Sequence, residues 1–435
     1  MRRQLFFCFL AWGFCVLRLG AEELTIPALA ELPRIDRSSP RPAKEMLRNS
    51  AFILKFSEHQ VPGEAYLVLT DHSERPYLKA LEKLAVHRGG EIVRVDDLGS
   101  LSEDQAAFRK IQEILVERQA KYVAIAPRWE SYRENMILGL WELLSTLDPD
   151  PQIDVFPGFL LASSAASFQQ LIDRSINFRS LAGKTFQPLA LSQVSTRQET
   201  RSLQKAAVLR NVFSQYGLET PILAVYTPLA KDAPVLEGRR VWNMRTKAAG
   251  EFLKGFPTRA AKTLADASLV VMHGHGIPGM SCSVDIDGIP VDSSNQVVLS
   301  GSCFAAAPQK SDFPSPSRVP GGYRVSSRQS FVDRYVERGA TVAFGHMRLS
   351  SGFPHLFPVL EKWIEGRTVG EAYQQLINAI IGMRGFRSGD FIVRDLERAR
   401  RVPQNTLLYV VLGDPAIVPI APLSREPAAR IKPSS

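Results

Sequence analysis

Cysteine is scarce in this chain: four in 435 residues, at positions 8, 15, 282 and 303. Two of them fall within the first 15 residues, so a chain that loses its N-terminus keeps only a pair, too few for a disulfide-stapled module. Long apolar runs are also missing; past the N-terminus none reaches the ~20 residues that span a bilayer. No short repeat or low-complexity tract occurs, and the composition excludes a disordered or collagen-like chain. No Gly-x-Ser-x-Gly elbow occurs either, which removes a common serine-hydrolase pattern. Charge of one sign is modest. The formal net charge is +9, and the first 21 residues hold three of those positive charges (Arg2, Arg3, Arg18) and no acid, leaving +6 for the rest. No basic stripe appears, so nucleic acid is not an expected partner.

What is present is a folding composition: 45% apolar or aromatic residues and 22% charged. The length suffices for one large or two medium domains with cores of their own. Arg2 and Arg3 precede an apolar stretch from Leu5 to Leu17, followed by Gly20 and Ala21. This is the charged, apolar and small-residue order of a secretory signal over 1–21. It implies an extracellular or periplasmic location and no stable membrane insertion after cleavage, with an uncleaved anchor as the alternative raised by Arg18. Residues 22–60, with Pro27, Pro33, Pro40 and Pro42, read as a linker or packing arm.

From residue 61 apolar strand-like runs alternate with helical periodicity. Strands are expected at 65–70, 91–95 and 121–126, and helices at 76–88, 102–119, 135–145 and 165–178. The alternation resumes with a helix at 200–216, a strand at 222–226, a helix at 246–266, and strands at 268–272 and 296–300. A Pro/Ser/Gly-rich loop at 308–322 precedes a helix at 327–338, a strand at 340–344, a helix begun by a Thr368/Glu371 capping box and a strand at 407–412. Such alternation predicts an α/β protein, a mostly parallel sheet with helices on both faces. The division is into two consecutive α/β subdomains, 61–195 and 196–421, with a tail at 422–435.

Two strands end in unusual sequences. Ser268–Met272 runs into His273-Gly274-His275-Gly276, and Gln296–Ser300 runs into Gly301-Ser302-Cys303. In an open parallel sheet the carboxyl ends of neighbouring strands converge on one crevice. The thiolate is the nucleophile, and a free thiol is only a few per cent ionised at neutral pH, so a cysteine needs an imidazole beside it. The same imidazole can then protonate the leaving amine. Glycine next to the histidine admits a close substrate, and the amides of Gly276 and Cys303 could hold an oxyanion.

A strand ending in His-Gly followed by a strand ending in Cys resembles the caspase–legumain–gingipain group of cysteine peptidases. His275-Gly276-Ile277-Pro278-Gly279 is similar to the legumain His-Gly-x-Pro-Gly stretch. Tyr66–Asp71, Gly339–Ser351 and Leu412-Gly413-Asp414-Pro415 resemble gingipain-like segments, whereas Phe159 stands where that group often has arginine. The resemblance implies a caspase-like (Rossmann-like) fold and a secreted cysteine endopeptidase acting on polypeptides. It implies Cys303 as nucleophile, His275 as base and Gly276 in the oxyanion site. It brings no expected catalytic cofactor or metal; structural calcium occurs in the family, but no ligand set here has calcium spacing.

Several alternatives stay open on the residues alone. His273 is a second candidate base or packs and hydrogen-bonds at the strand end, and His346, after another strand, lines the crevice, caps the strand or serves as an alternative base. Asp285 or Asp287 could orient a histidine. Cys282 could pair with Cys303 in a disulfide, act in redox control or be a bystander. His273 and His275 with a cysteine could form a zinc site. A caspase-like chain that only binds peptides or partners is a further reading.

Overall fold

The computed structural model describes residues 66–423 except 102, 197–200, 247–252, 254, 278, 286–287, 289–294, 308–329, 349, 351 and 385–406. The signal segment, the arm, the loop at 308–322, Asp287 and most of the tail lie outside the described residues. The first part of the chain runs β1 (Tyr66–Thr70), α1 (Arg75–Arg88), β2 (Glu91–Arg94), α2 (Gln105–Glu117), β3 (Tyr122–Ala126), α3 (Glu134–Leu144), β4 (Phe156–Phe159) and α4 (Ala165–Asn177). There follow β5 (Pro188–Val194), α5 (Arg201–Ser214), β6 (Ile222–Tyr226), β7 (Val241–Arg245), α6 (Thr258–Asp266) and β8 (Leu269–His273). Three two-residue strands, β9 (Gly276–Ile277), β10 (Met280–Ser281) and β11 (Val284–Asp285), make a small separate sheet. The series closes with β12 (Val297–Ser300), α7 (Phe331–Glu337), β13 (Val342–His346), α8 (Phe353–Ile364), α9 (Val369–Arg384) and β14 (Tyr409–Leu412).

Among the described residues eleven strands form one sheet in the order β2-β1-β3-β4-β14-β13-β12-β8-β5-β6-β7. It is an α/β fold with a mostly parallel, mixed sheet, helices packed on both faces, and β14 antiparallel to β13. The central strands are buried along their whole length, as in Tyr66–Thr70 and Tyr122–Ala126. That is why they read as continuous apolar runs rather than as alternation. Each Val, Leu or Ile so enclosed contributes about 1.5–3 kcal/mol over leaving it in water. Local chemistry sets the helix ends. Gly89 closes α1 at φ 62°, Asp104 accepts the Ala106 and Ala107 amides at the start of α2, and Thr368 and Glu371 form the reciprocal capping box before α9.

Some elements depart from the sequence expectation. The helix expected over 246–266 begins only at Thr258. Pro257 stands at its N-cap and Leu253 makes a β-bridge with Val284 instead. A proline has no N–H to donate and disfavours helical backbone in the residue before it, so the pattern upstream cannot join the helix. β5, β7 and α8 were not anticipated. β5 is hydrogen-bonded to β6 and β8, so Pro188–Val194, at the end of the first subdomain as divided at 195/196, sits within the second half of the sheet.

The two halves meet where β14 touches β4 through a single pair, Leu412 with Phe159. One pair does not orient the halves, but contacts across the seam do. Tyr132, beyond the carboxyl end of β3, donates its hydroxyl to the Ala306 carbonyl at 3.0 Å, beyond the carboxyl end of β12. The Arg348 guanidinium, after β13, grips the Glu134 carboxylate with two bonds of 2.8 Å. At the other rim Asp414 accepts from Tyr66 (2.9 Å) and Arg88 (2.6 Å), both at the amino end of β1. The carboxyl ends of β3, β12 and β13 therefore share one rim.

Candidate active site

β8 and β12 are adjacent and parallel, with Met272 opposite Ser300. His275 and Cys303 are each three residues past that pair, so the register brings the two chain exits side by side. The Gly301 amide donates to the Met272 carbonyl at 2.9 Å, continuing the ladder one step beyond the strands. At Gly276 the approach is closest: a Cβ there would lie 2.3 Å from the Cys303 carbonyl oxygen and 2.8 Å from Ser302 Cβ. No residue with a side chain fits without moving this backbone. Gly274 is nearly as confined, with a Cβ site 2.6 Å from Gln193 Cβ and 3.2 Å from Cys282 Sγ. Gln193, on β5, accepts the His275 amide at 2.7 Å and so holds the histidine's backbone. The His275 carbonyl accepts from the Cys282 amide at 2.9 Å. This bond makes Gly276 and Ser281 a non-hydrogen-bonded pair of the β9–β10 hairpin, so the Gly276 N–H is not spent in that ladder.

The other two histidines occupy different surroundings. His273 ends β8, with its Nε2 2.9 Å from Lys205 Nζ. Burial first, then the Lys205 ammonium and His275, push its pKa down to about 3. A neutral ring accepting from an ammonium is poorly suited to take a proton from a thiol. His346 is fully buried, not in the crevice. Its Nδ1 accepts the Arg348 amide at 3.0 Å and its ring meets Tyr409 edge-on at 4.3 Å, so it braces the end of β13 rather than facing a substrate. Asp285 sits in β11 opposite Met280. Among the described residues no group of three His, Cys, Asp or Glu side chains is arranged to hold a metal ion, so a His-x-His zinc set is not assembled there.

Both described cysteines are free thiols. Cys282 is fully enclosed beside Ser302 Oγ (3.5 Å), and burial pushes its thiol up to about 12, against small downward pulls from the Ser302 and Ser281 hydroxyls. Cys303 is partly exposed. Desolvation raises its thiol as well, while the Ser350 amide, 3.4 Å from Sγ, and its own amide pull it down. The resting sulfur is thus a protonated thiol that needs a base before it can attack. Phe304, at φ 57°, turns the chain sharply just after it, and its amide is tied to the Arg348 carbonyl at 2.8 Å. The buried Arg348–Glu134 pair therefore anchors the cysteine loop to the first half of the sheet.

Sequence reasoning missed Gln193, Glu134, Arg348, Ser350, Tyr409 and His355. Ser350 and His355 lie within or next to a stretch already noted for resemblance, but nothing local marks them. Gln193 lies in a stretch given no expected element and Glu134 just before the helix expected at 135–145, and nothing in either sequence marks a buried polar partner. A cleft of about 800 Å³ lies at the amino ends of β5 and β6, lined by Gln187, Pro221, Arg240 and Trp242, and does not include the candidate residues. No described helix is long and apolar enough to cross a membrane.

No protein-family model and no curated protein matches the sequence. Among solved structures, the chain is similar to a separase–securin complex from Saccharomyces cerevisiae at 11% identity and a TM-score of 0.37, covering 68% of this chain and 15% of that one. A putative aspartate carbamoyltransferase from Leishmania major Friedlin gives 11% identity and 0.21, covering 52% of this chain and 65% of that one. The chain thus spans less than two thirds of either neighbour's length. These scores are too low to carry an argument about the site.

Proposed function

We propose that this protein is an exported cysteine-type endopeptidase with a caspase-like architecture, of the gingipain-like kind that its strand-end motifs resemble. The observation that carries the reading is the paired exit of β8 and β12, with Gly276 seated on the Cys303 carbonyl. In the reaction His275 takes the Cys303 proton as Sγ bonds to the substrate carbonyl carbon. The carbonyl oxygen becomes an oxyanion received by the Gly276 and Cys303 amides. Collapse breaks the C–N bond, and the proton passes from His275 to the leaving amine. A water deprotonated by His275 then attacks the thioester, releasing the new carboxyl terminus and the free thiol.

The test is a peptide-library cleavage profile of the recombinant protein, with and without reductant, for the wild type, Cys303→Ala and His275→Ala. Cleavage is expected to vanish in Cys303→Ala and to fall by about 10²–10⁴ in His275→Ala, the usual loss of a general base. A Cys303→Ala protein that cuts as well as the wild type overturns the reading.

A further inference from the structure

Cys303 has a second set of neighbours that the hydrolytic scheme does not use. The Ser350 amide donates to Sγ at 3.4 Å, and it belongs to the turn that closes at Gly352 before α8. That turn is wedged in place: a Cβ on Gly352 would come within 3.1 Å of His273 Cε1, and Gly352 itself has φ 69°. Inside the turn the Gly352 amide donates to Ser350 Oγ at 2.8 Å. Beyond it, Ser350 Oγ is 3.2 Å from Tyr409 Oη, and Tyr409 Oη is 2.7 Å from His355 Nδ1.

The Gly352 amide can only donate, so Ser350 Oγ accepts from it. Tyr409 Oη lies within hydrogen-bond distance of both Ser350 Oγ and His355 Nδ1 and bridges the two. Tyr409 is fully buried on β14, stacked on Phe344 at 5.4 Å and met edge-on by His346, so its hydroxyl is a fixed point. His355 is half-buried in the first turn of α8.

We propose that Ser350, Tyr409 and His355 form a positioning relay that holds the Ser350 amide on the Cys303 sulfur and thereby sets how readily that thiol ionises. The proposal deepens, and rests on, the reading of Cys303 as the nucleophile. The three are positioning residues, since only the Ser350 amide meets a reacting atom. An amide aimed at sulfur favours the thiolate over the thiol, and a donor that wanders loses that preference. The charged and titratable groups on the surrounding elements are His275, His346, which meets the Tyr409 ring edge-on at 4.3 Å, the His273–Lys205 contact from β8 and α5, and the pair of Arg348, just after β13, with Glu134 of α3.

The experiment measures the rate of Cys303 alkylation by iodoacetamide against pH in the full chain, read by peptide mapping, alongside unfolding midpoints and peptide cleavage. Ser350→Ala and Tyr409→Phe are expected to raise the midpoint of the alkylation profile by about one unit, a tenfold loss of thiolate at a given pH. His355→Leu moves it the same way by less. Ser350→Thr, which keeps the hydroxyl, and His355→Asn, which keeps a polar atom near Nδ1, hold the wild-type midpoint. Unchanged midpoints in folded Ser350→Ala and Tyr409→Phe overturn the relay, whatever the cleavage activity. If Tyr409→Phe does not fold, Ser350→Ala decides alone. Shifted midpoints in a chain whose wild type cleaves no peptide support the relay and overturn the peptidase reading instead.

Discussion

Gly276→Ala is the substitution that the strand-end geometry condemns most directly. The new methyl carbon would lie 2.3 Å from the Cys303 carbonyl oxygen, 2.8 Å from Ser302 Cβ and 3.1 Å from the Met280 carbonyl oxygen. Two of the three are main-chain atoms, and none is the far end of a flexible side chain, so no rotamer change relieves the clash. An ordinary carbon–oxygen contact is roughly 3.3 Å, so the two exits must part by about 1 Å. Overpacking of this kind costs about 1–3 kcal/mol of stability. A displacement of that size between nucleophile and base costs about 10² in turnover. The loss comes from position and not from protonation, so the pH profile keeps its shape while kcat falls. The assay is kcat and KM on the best peptide from the library profile, with urea unfolding in parallel. Gly382→Ala is the control: it lies in α9 with nothing within 4 Å of its Cβ site, and alanine there should gain about 0.5–1 kcal/mol. A Gly276→Ala protein with wild-type kcat and stability would refute the claim that the two exits touch.

Glu134→Gln leaves the buried Arg348 guanidinium without its counter-charge and should cost about 3–5 kcal/mol in urea unfolding, with Glu134→Met/Arg348→Met together recovering most of it; a single substitution as stable as wild type would show that the pair is not enclosed. Asp333 is fully buried in α7, neither carboxylate oxygen has a hydrogen-bond partner among the described residues, and desolvation, with Glu337 adding to it, raises its pKa well above the ordinary value against a smaller pull from Arg334. The folded state then holds a proton that the unfolded chain releases near pH 4, so stability falls as pH rises above about 4, until the folded group ionises. Asp333→Asn should match the wild type at about pH 4 and exceed it at about pH 8, and parallel pH dependences in the two proteins would count against this account.

The sequence showed the strands best where both faces are covered. Ile222–Tyr226 and Tyr122–Ala126 are unbroken apolar runs, and the structure places them inside the sheet. It showed least where a strand is half polar. β5 carries Ser192 and Gln193, and both turn inward, one bonded to the Ser202 carbonyl and the other to the His275 amide. β7, at the edge of the sheet, is only partly buried, and Asn243 and Arg245 interrupt its apolar residues. α8 holds Pro354 in its first turn and Pro358 inside, and two prolines in twelve residues read as punctuation. The first costs nothing there, because that turn has no intrahelical acceptor to offer its N–H.

The same contrast separates the parts of the candidate site. His275 and Cys303 are visible in one dimension because each directly follows an apolar strand, and neighbouring parallel strands deliver such exits to one rim. The groups around the sulfur come from elsewhere: Ser350 after β13, His355 on α8, Tyr409 on β14. Their meeting depends on His346 lying opposite Tyr409 in an antiparallel pair formed across more than sixty residues of chain. No spacing rule links them, so only the folded sheet reveals that the Ser350 amide reaches the sulfur while the Gly276 turn packs on the Cys303 carbonyl. In the proposed reaction a thiol raised by burial needs both kinds of group: His275 takes the proton during attack, and the Ser350 amide lowers the cost of the charge left on sulfur.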